Sequence, residues 1–145
     1  MKSALLIPLL CLAACSPPDA TQTALTATAR AIAELDANLT PLYEEAAHAA
    51  LDESNNREEY ETRMESWNDL EEAMRIARVS LLSSQDALDV WKESAGAEST
   101  FWTVLPGLLS ALREVSERLG TIGVDVPSEV VDALRLLEGL GEDNG

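Results

Sequence analysis

After residue 22, apolar positions recur at steps of three and four along nearly the whole chain. That is the period of an amphipathic helix, and no segment shows the alternation of a strand. A first helix is predicted from about Thr23 to Ser54, with Leu25, Ile32, Leu35, Leu39, Leu42, Ala46 and Ala49 on one face. Pro41 falls inside it. Thr40 and Pro41 either cap a fresh helix, with Glu44 and Glu45 in its first turn, or kink a continuous one. Asp52 to Asn56 breaks the pattern and reads as a turn. The second helix runs from about Arg57 to Ser94. Tyr60, Trp67, Met74, Leu81 and Leu88 recur every seven residues, with Leu70, Ala77, Ser84 and Trp91 as a companion row.

Ala95-Gly96-Ala97 ends that helix, and Ser99 is placed to cap a third, from about Thr100 to Leu119. Its apolar row is Phe101, Leu105, Leu108, Leu112, Val115 and Leu119. Pro106-Gly107 inside the row predicts a kink or a restart, and Gly120 is a natural stop. Pro127 opens a fourth, shorter helix to about Leu140, with Val130, Val131, Leu134 and Leu137 inward. Short links between such helices predict an all-α fold. The expected form is a small antiparallel bundle built on a long helical hairpin, with two shorter C-terminal helices. A hairpin that dimerises through its heptads is the alternative.

Charge narrows the choice of partner. The 145 residues carry 26 acidic and 10 basic side chains, a formal charge of −16. A field of that sign repels nucleic acid and anionic lipid, and there is no basic stripe to offset it. Cationic partners and divalent ions suit it.

The N-terminus has its own logic. Lys2 is followed by an apolar stretch from Ala4 to Ala14, the size of a signal peptide's apolar h-region and too short to span a bilayer. The quartet Leu12-Ala13-Ala14-Cys15 resembles the lipobox of bacterial lipoproteins. That resemblance implies acylation of the Cys15 sulfur and cleavage between Ala14 and Cys15. Residues 1–14 are then a removed signal peptide, 15–22 a lipidated cysteine and flexible Pro-rich tether, 23–140 the helical domain and 141–145 a polar tail. Ser16, by resemblance to Gram-negative lipoproteins, implies the periplasmic face of the outer membrane. With Cys11 discarded and Cys15 acylated, no cysteine pair remains for a disulfide. Covalent lipid on Cys15 is the only non-protein group expected, with no other cofactor.

Two constellations are candidates for binding. Glu44, His48 and Asp52 step by four on one helical face and offer imidazole and carboxylates to a divalent metal. Glu45-Ala46-Ala47-His48 has the Glu-x-x-His form of a di-iron half-site, but His48 is the only histidine, so the second half is missing. Phe101 and Trp102 begin a nearly continuous apolar run that serves either as a partner-binding patch or as the central helix of the bundle. The flanking amphipathic rows favour burial.

Asp52, Ser54, Asn56 and Glu58 begin like a calcium loop, but Arg57 and Arg63 stand where that loop needs Gly and Glu. There is no haem-attachment motif, Gly-rich phosphate loop or marked nucleophile. The expected function is therefore non-catalytic: a membrane-anchored envelope lipoprotein that presents an acidic helical bundle to a protein partner, possible self-association through the heptad faces included. The competing readings are a periplasmic divalent-metal or small-ligand binder, and a phage-encoded lysis (spanin-like) or exclusion lipoprotein.

Overall fold

The structure, a computed structural model, describes residues 17–142. Ala14, Cys15 and the rest of the predicted leader lie outside the described residues, as do positions 143–145 of the predicted tail. Four helices follow one another: α1 (Pro17–Glu53), α2 (Arg57–Glu93), α3 (Glu98–Thr121) and α4 (Ser128–Glu142), with a single 3₁₀ turn at Ala95–Ala97 between α2 and α3. The fold is an all-α bundle. Each helix runs antiparallel to the next, and α2 packs on both α1 and α3 while α4 packs on both α3 and α1. The diagonal pairs are not neighbours, so the cross-section is a four-cornered ring around one core.

The heptad rows of α2 form that core. Leu70, Met74, Ala77, Leu81, Ser84, Leu88 and Trp91 are all buried, against Leu25, Ile32, Leu35 and Leu39 of α1. The row predicted for α3 is buried without exception, and Val130, Ala133 and Leu137 bring α4 onto it. Each such aliphatic side chain contributes roughly 1.5–3 kcal/mol on burial. Tyr60 and Trp67, earlier in the same row of α2, are only partly buried.

Several local expectations change. Helix α1 starts at Pro17, where a flexible tether was expected through residue 22. Thr21 is fully buried, so this stretch is part of the bundle. Pro is well tolerated in a first turn, whose N–H groups have no helical partner anyway. Pro41 and Pro106 interrupt nothing, since α1 and α3 run through them. Both lie on the exposed side, where water reaches the carbonyls that lose a partner. Thr40 does not cap: its hydroxyl donates to the Asp36 carbonyl at 2.8 Å, one turn back in the same helix. Ser99 does not cap α3 either, which begins at Glu98 after the 3₁₀ turn. Gly141 and Glu142 belong to α4 rather than to a tail.

The turn after α3 shows why a glycine is needed one step later than Gly120. Gly123 has φ +78°. Its N–H donates to the Gly120 carbonyl at 3.2 Å, and the Val124 N–H donates to Leu119 at 3.0 Å. This is the paired C-terminal motif that requires a left-handed residue. Val124 then folds onto the core.

Helices α1 and α2, at 37 residues each, are longer than α3 at 24 and α4 at 15. Arg118, near the end of α3, pairs with Asp69 of α2 at 3.1 Å. Above that level neither α3 nor α4 continues. Ile122 and Val124 of the loop between them still lie beside Ala46, Ala49 and Trp67, and the hairpin extends past that loop. At its turn Asn56 caps α2, its side chain accepting from the Glu59 N–H at 3.0 Å. Glu59 in turn accepts from the Asn55 N–H at 2.8 Å. The bundle thus has a four-helix base and a two-helix arm.

Candidate functional site

A concavity lies in the seam between α1 and α2, where the arm meets the base. It has a volume of about 340 Å³, and its walls come from these two helices alone. The floor is Leu39, Leu70 and Met74, all buried core residues. Because the helices are antiparallel, Asp36 meets Arg78 at the lower end and Tyr43 meets Trp67 at the upper end. Arg78 donates from Nε to Asp36 Oδ2 at 3.0 Å and from Nη2 to Oδ1, a two-pronged contact. The rings of Tyr43 and Trp67 stand edge to face, 6.0 Å apart at 84°. The Tyr43 hydroxyl reaches Asn68 Oδ1 at 3.5 Å.

Glu44 and Glu71 form the lip of this groove. Neither makes an ion pair among the described residues. Burial pushes the Tyr43 phenol above its usual range, and the Glu71 carboxylate and then Tyr60 add to that. The groove therefore joins an apolar, aromatic interior to an uncompensated negative rim.

Tyr43 was missed in the sequence because the heptad row was carried too far. A strict seven-residue repeat puts Leu42 and Ala49 inward, but both are exposed, and Tyr43 is half-buried with Ala50 buried instead. A straight helix of 3.6 residues per turn drifts from a seven-residue repeat by about 20° per heptad. Stepping by four from Leu35 to Leu39 reaches Tyr43, and that was the available signal.

Glu44, His48 and Asp52 are all exposed on α1. Among the described residues, no three His, Cys, Asp or Glu side chains come together in a way that holds a metal ion. Of the three, only Glu44 reaches the groove.

Phe101 and Trp102 are engaged inside the base. Phe101 is fully buried, 5.8 Å from the ring of Trp91 and 5.1 Å from that of Trp102. Trp102 is half-buried and donates from Nε1 to Glu98 at 3.0 Å. Phe101 is thus not available as a partner-binding residue, because it fills the space between α2 and α3. The exposed apolar residues of α2 are others, Ile76, Val79, Leu82 and Val90, opposite its core face.

The arm itself is strongly charged. Residues 44 to 72 carry eleven carboxylates against two arginines. Among the described residues, no helix is long and apolar enough to cross a membrane. The chain matches no protein-family model, no curated protein and no solved structure.

Proposed function

We propose that this protein is a non-catalytic envelope lipoprotein, anchored through lipid on Cys15, that holds its acidic two-helix arm out toward a protein partner. The observation that carries the reading is the arm: a hairpin tip with eleven carboxylates and two arginines that extends beyond the short helices. A tip with so little core of its own is poorly explained as a stability device. Of residues 44 to 72, only Ala50, Met64 and Leu70 are buried.

The start of α1 at Pro17 supports the same reading. Only Ser16 separates it from the lipobox cysteine, so lipid there would attach almost directly to the base of the bundle. With 37 residues, α1 spans about 55 Å and would place the hairpin turn that far from the anchored end. Two acyl chains suffice for stable attachment, at ~0.8 kcal/mol per buried CH₂. The acidic body has no affinity of its own for an anionic surface, so Cys15 is the sole anchor in this reading. Ser16, by resemblance to Gram-negative lipoproteins, supports the periplasmic face of the outer membrane as its location in such a host.

The test is metabolic labelling with a fatty-acid analogue, followed by membrane fractionation of wild type and Cys15→Ala. Loss of label and release into the soluble envelope fraction are expected of the variant. A variant that still takes up label and sediments with membrane ends the anchoring proposal. Photo-crosslinking from Glu65 at the tip, against Glu117 on α3 as a control position, tests presentation. A specific adduct from the tip alone is expected.

A further inference from the structure

The α1–α2 groove asks for an occupant because the bundle leaves its open side uncovered. The floor residues Leu39, Leu70 and Met74 already belong to the core, yet the wall above them is left uncovered by α3 or α4. Tyr43 and Trp67 meet only edge to face at its upper end. Glu44 and Glu71 face it with no arginine or lysine to answer them, although Arg75 and Arg78 lie within two turns on the same helix. Arg75 is committed to Glu72 at 2.5 Å and Arg78 to Asp36.

Each feature fits one chemistry. Aromatic faces attract ammonium and guanidinium groups, and the attraction grows as the cation loses water. The stems of lysine and arginine are apolar and pack along a floor of Leu and Met, while the head needs a carboxylate. A second copy of this acidic chain is disfavoured by its charge. Resting on the presentation reading above, we propose that the groove docks a basic side chain, lysine or arginine, from a helical or extended segment of the partner protein. The stem lies on Leu70 and Met74, and the head sits beside Trp67 and Tyr43 between Glu44 and Glu71. The acidic arm above steers the basic segment in, and the groove selects its position.

The experiment uses the full chain in neutral detergent and a dye-labelled 16-residue alanine–lysine peptide, read by fluorescence anisotropy at physiological salt. Glu44→Gln/Glu71→Gln is expected to weaken binding by about tenfold. Glu58→Gln/Glu65→Gln removes the same charge from the arm outside the groove and is expected to change it less than about twofold. Trp67→Leu keeps an apolar wall and is expected to cost about fivefold. Equal weakening by the two double variants means general Coulomb attraction and overturns the groove. So does equal binding of lysine amide and the peptide, which makes the occupant a free amine. A tip crosslink in the envelope that survives Glu44→Gln/Glu71→Gln unchanged also overturns the groove while leaving the presentation reading intact. A wild type that yields no tip crosslink removes that reading itself.

Discussion

The base and the arm use the same two helices in opposite ways. In the base, α1 and α2 are covered by α3 and α4, and Phe101, Leu108, Leu112 and Leu119 are fully buried among them. In the arm the same helices have no third helix over them, only the α3–α4 loop through Ile122 and Val124, and Leu51 is 60 % exposed. Four helices enclose a core, whereas two helices share a seam. The charges follow from that geometry. A carboxylate in an enclosed core would be desolvated at large cost, but on a two-helix projection every flank is wet. The arm therefore tolerates acidity the base would not, and the groove sits where the enclosed regime gives way to the open one.

That contrast sets what substitutions do. The largest effect belongs to the base. Phe101→Ala removes a fully buried ring from between α2 and α3 and is expected to cost ~3–5 kcal/mol in chemical denaturation. A cost below about 1 kcal/mol would mean that the base is not the enclosed core described here. A smaller effect belongs to the arm. Asn56→Ala removes the cap of α2 and is expected to cost ~1 kcal/mol. Hydrogen exchange should place that loss at residues 50 to 64 and leave the amides of α3 protected as before. Equal loss in both regions would merge arm and base into one cooperative unit.

The smallest effect is in pH. Hydrogen bonds from Asn55, backbone first and side chain second, hold Glu59 below the usual glutamate range. A depressed carboxylate stabilises the fold above its unfolded pKa, and that contribution fades as pH falls through the folded value. Protection of the hairpin-turn amides, each rate taken relative to its intrinsic exchange rate at that pH, should therefore fall on acidification through that window in wild type. Glu59→Gln should lose this component, while the relief of repulsion along the arm remains in both. An identical pH response in the two proteins would separate Glu59 from the turn.

Much of the fold was legible because α2 is so regular. Its two apolar rows marked the helix from residue 57 to Ser94, one residue past its observed end, and Asp52 to Asn56 marked the turn before it. The third helix was readable for the same reason, since all six residues of its predicted row are buried. Pro41 and Pro106 left open whether a helix restarts or continues, because the cost of a proline depends on whether water can reach the freed carbonyl, and sequence does not record which side of a helix is wet. The tether was misread for a related reason. Pro17, Pro18 and small polar residues favour an extended chain in isolation, but a neighbouring helix that buries Thr21 draws them into α1.

The candidate site was the least legible part. Glu44 stood out by its spacing with His48 and Asp52, yet its groove partners are Tyr43, Trp67 and Glu71, and two of those lie on another helix. The sequence by itself determined the helical class, the hairpin, most core positions and the acidity of the arm, because periodicity and charge are local properties that survive without knowledge of neighbours. Tertiary structure alone decided that Phe101 is sealed inside the base, that Tyr43 rather than Leu42 turns inward, and that the seam stays open beside Glu44 and Glu71. Those outcomes depend on where helices of unequal length stop covering one another, and no single helix carries that information.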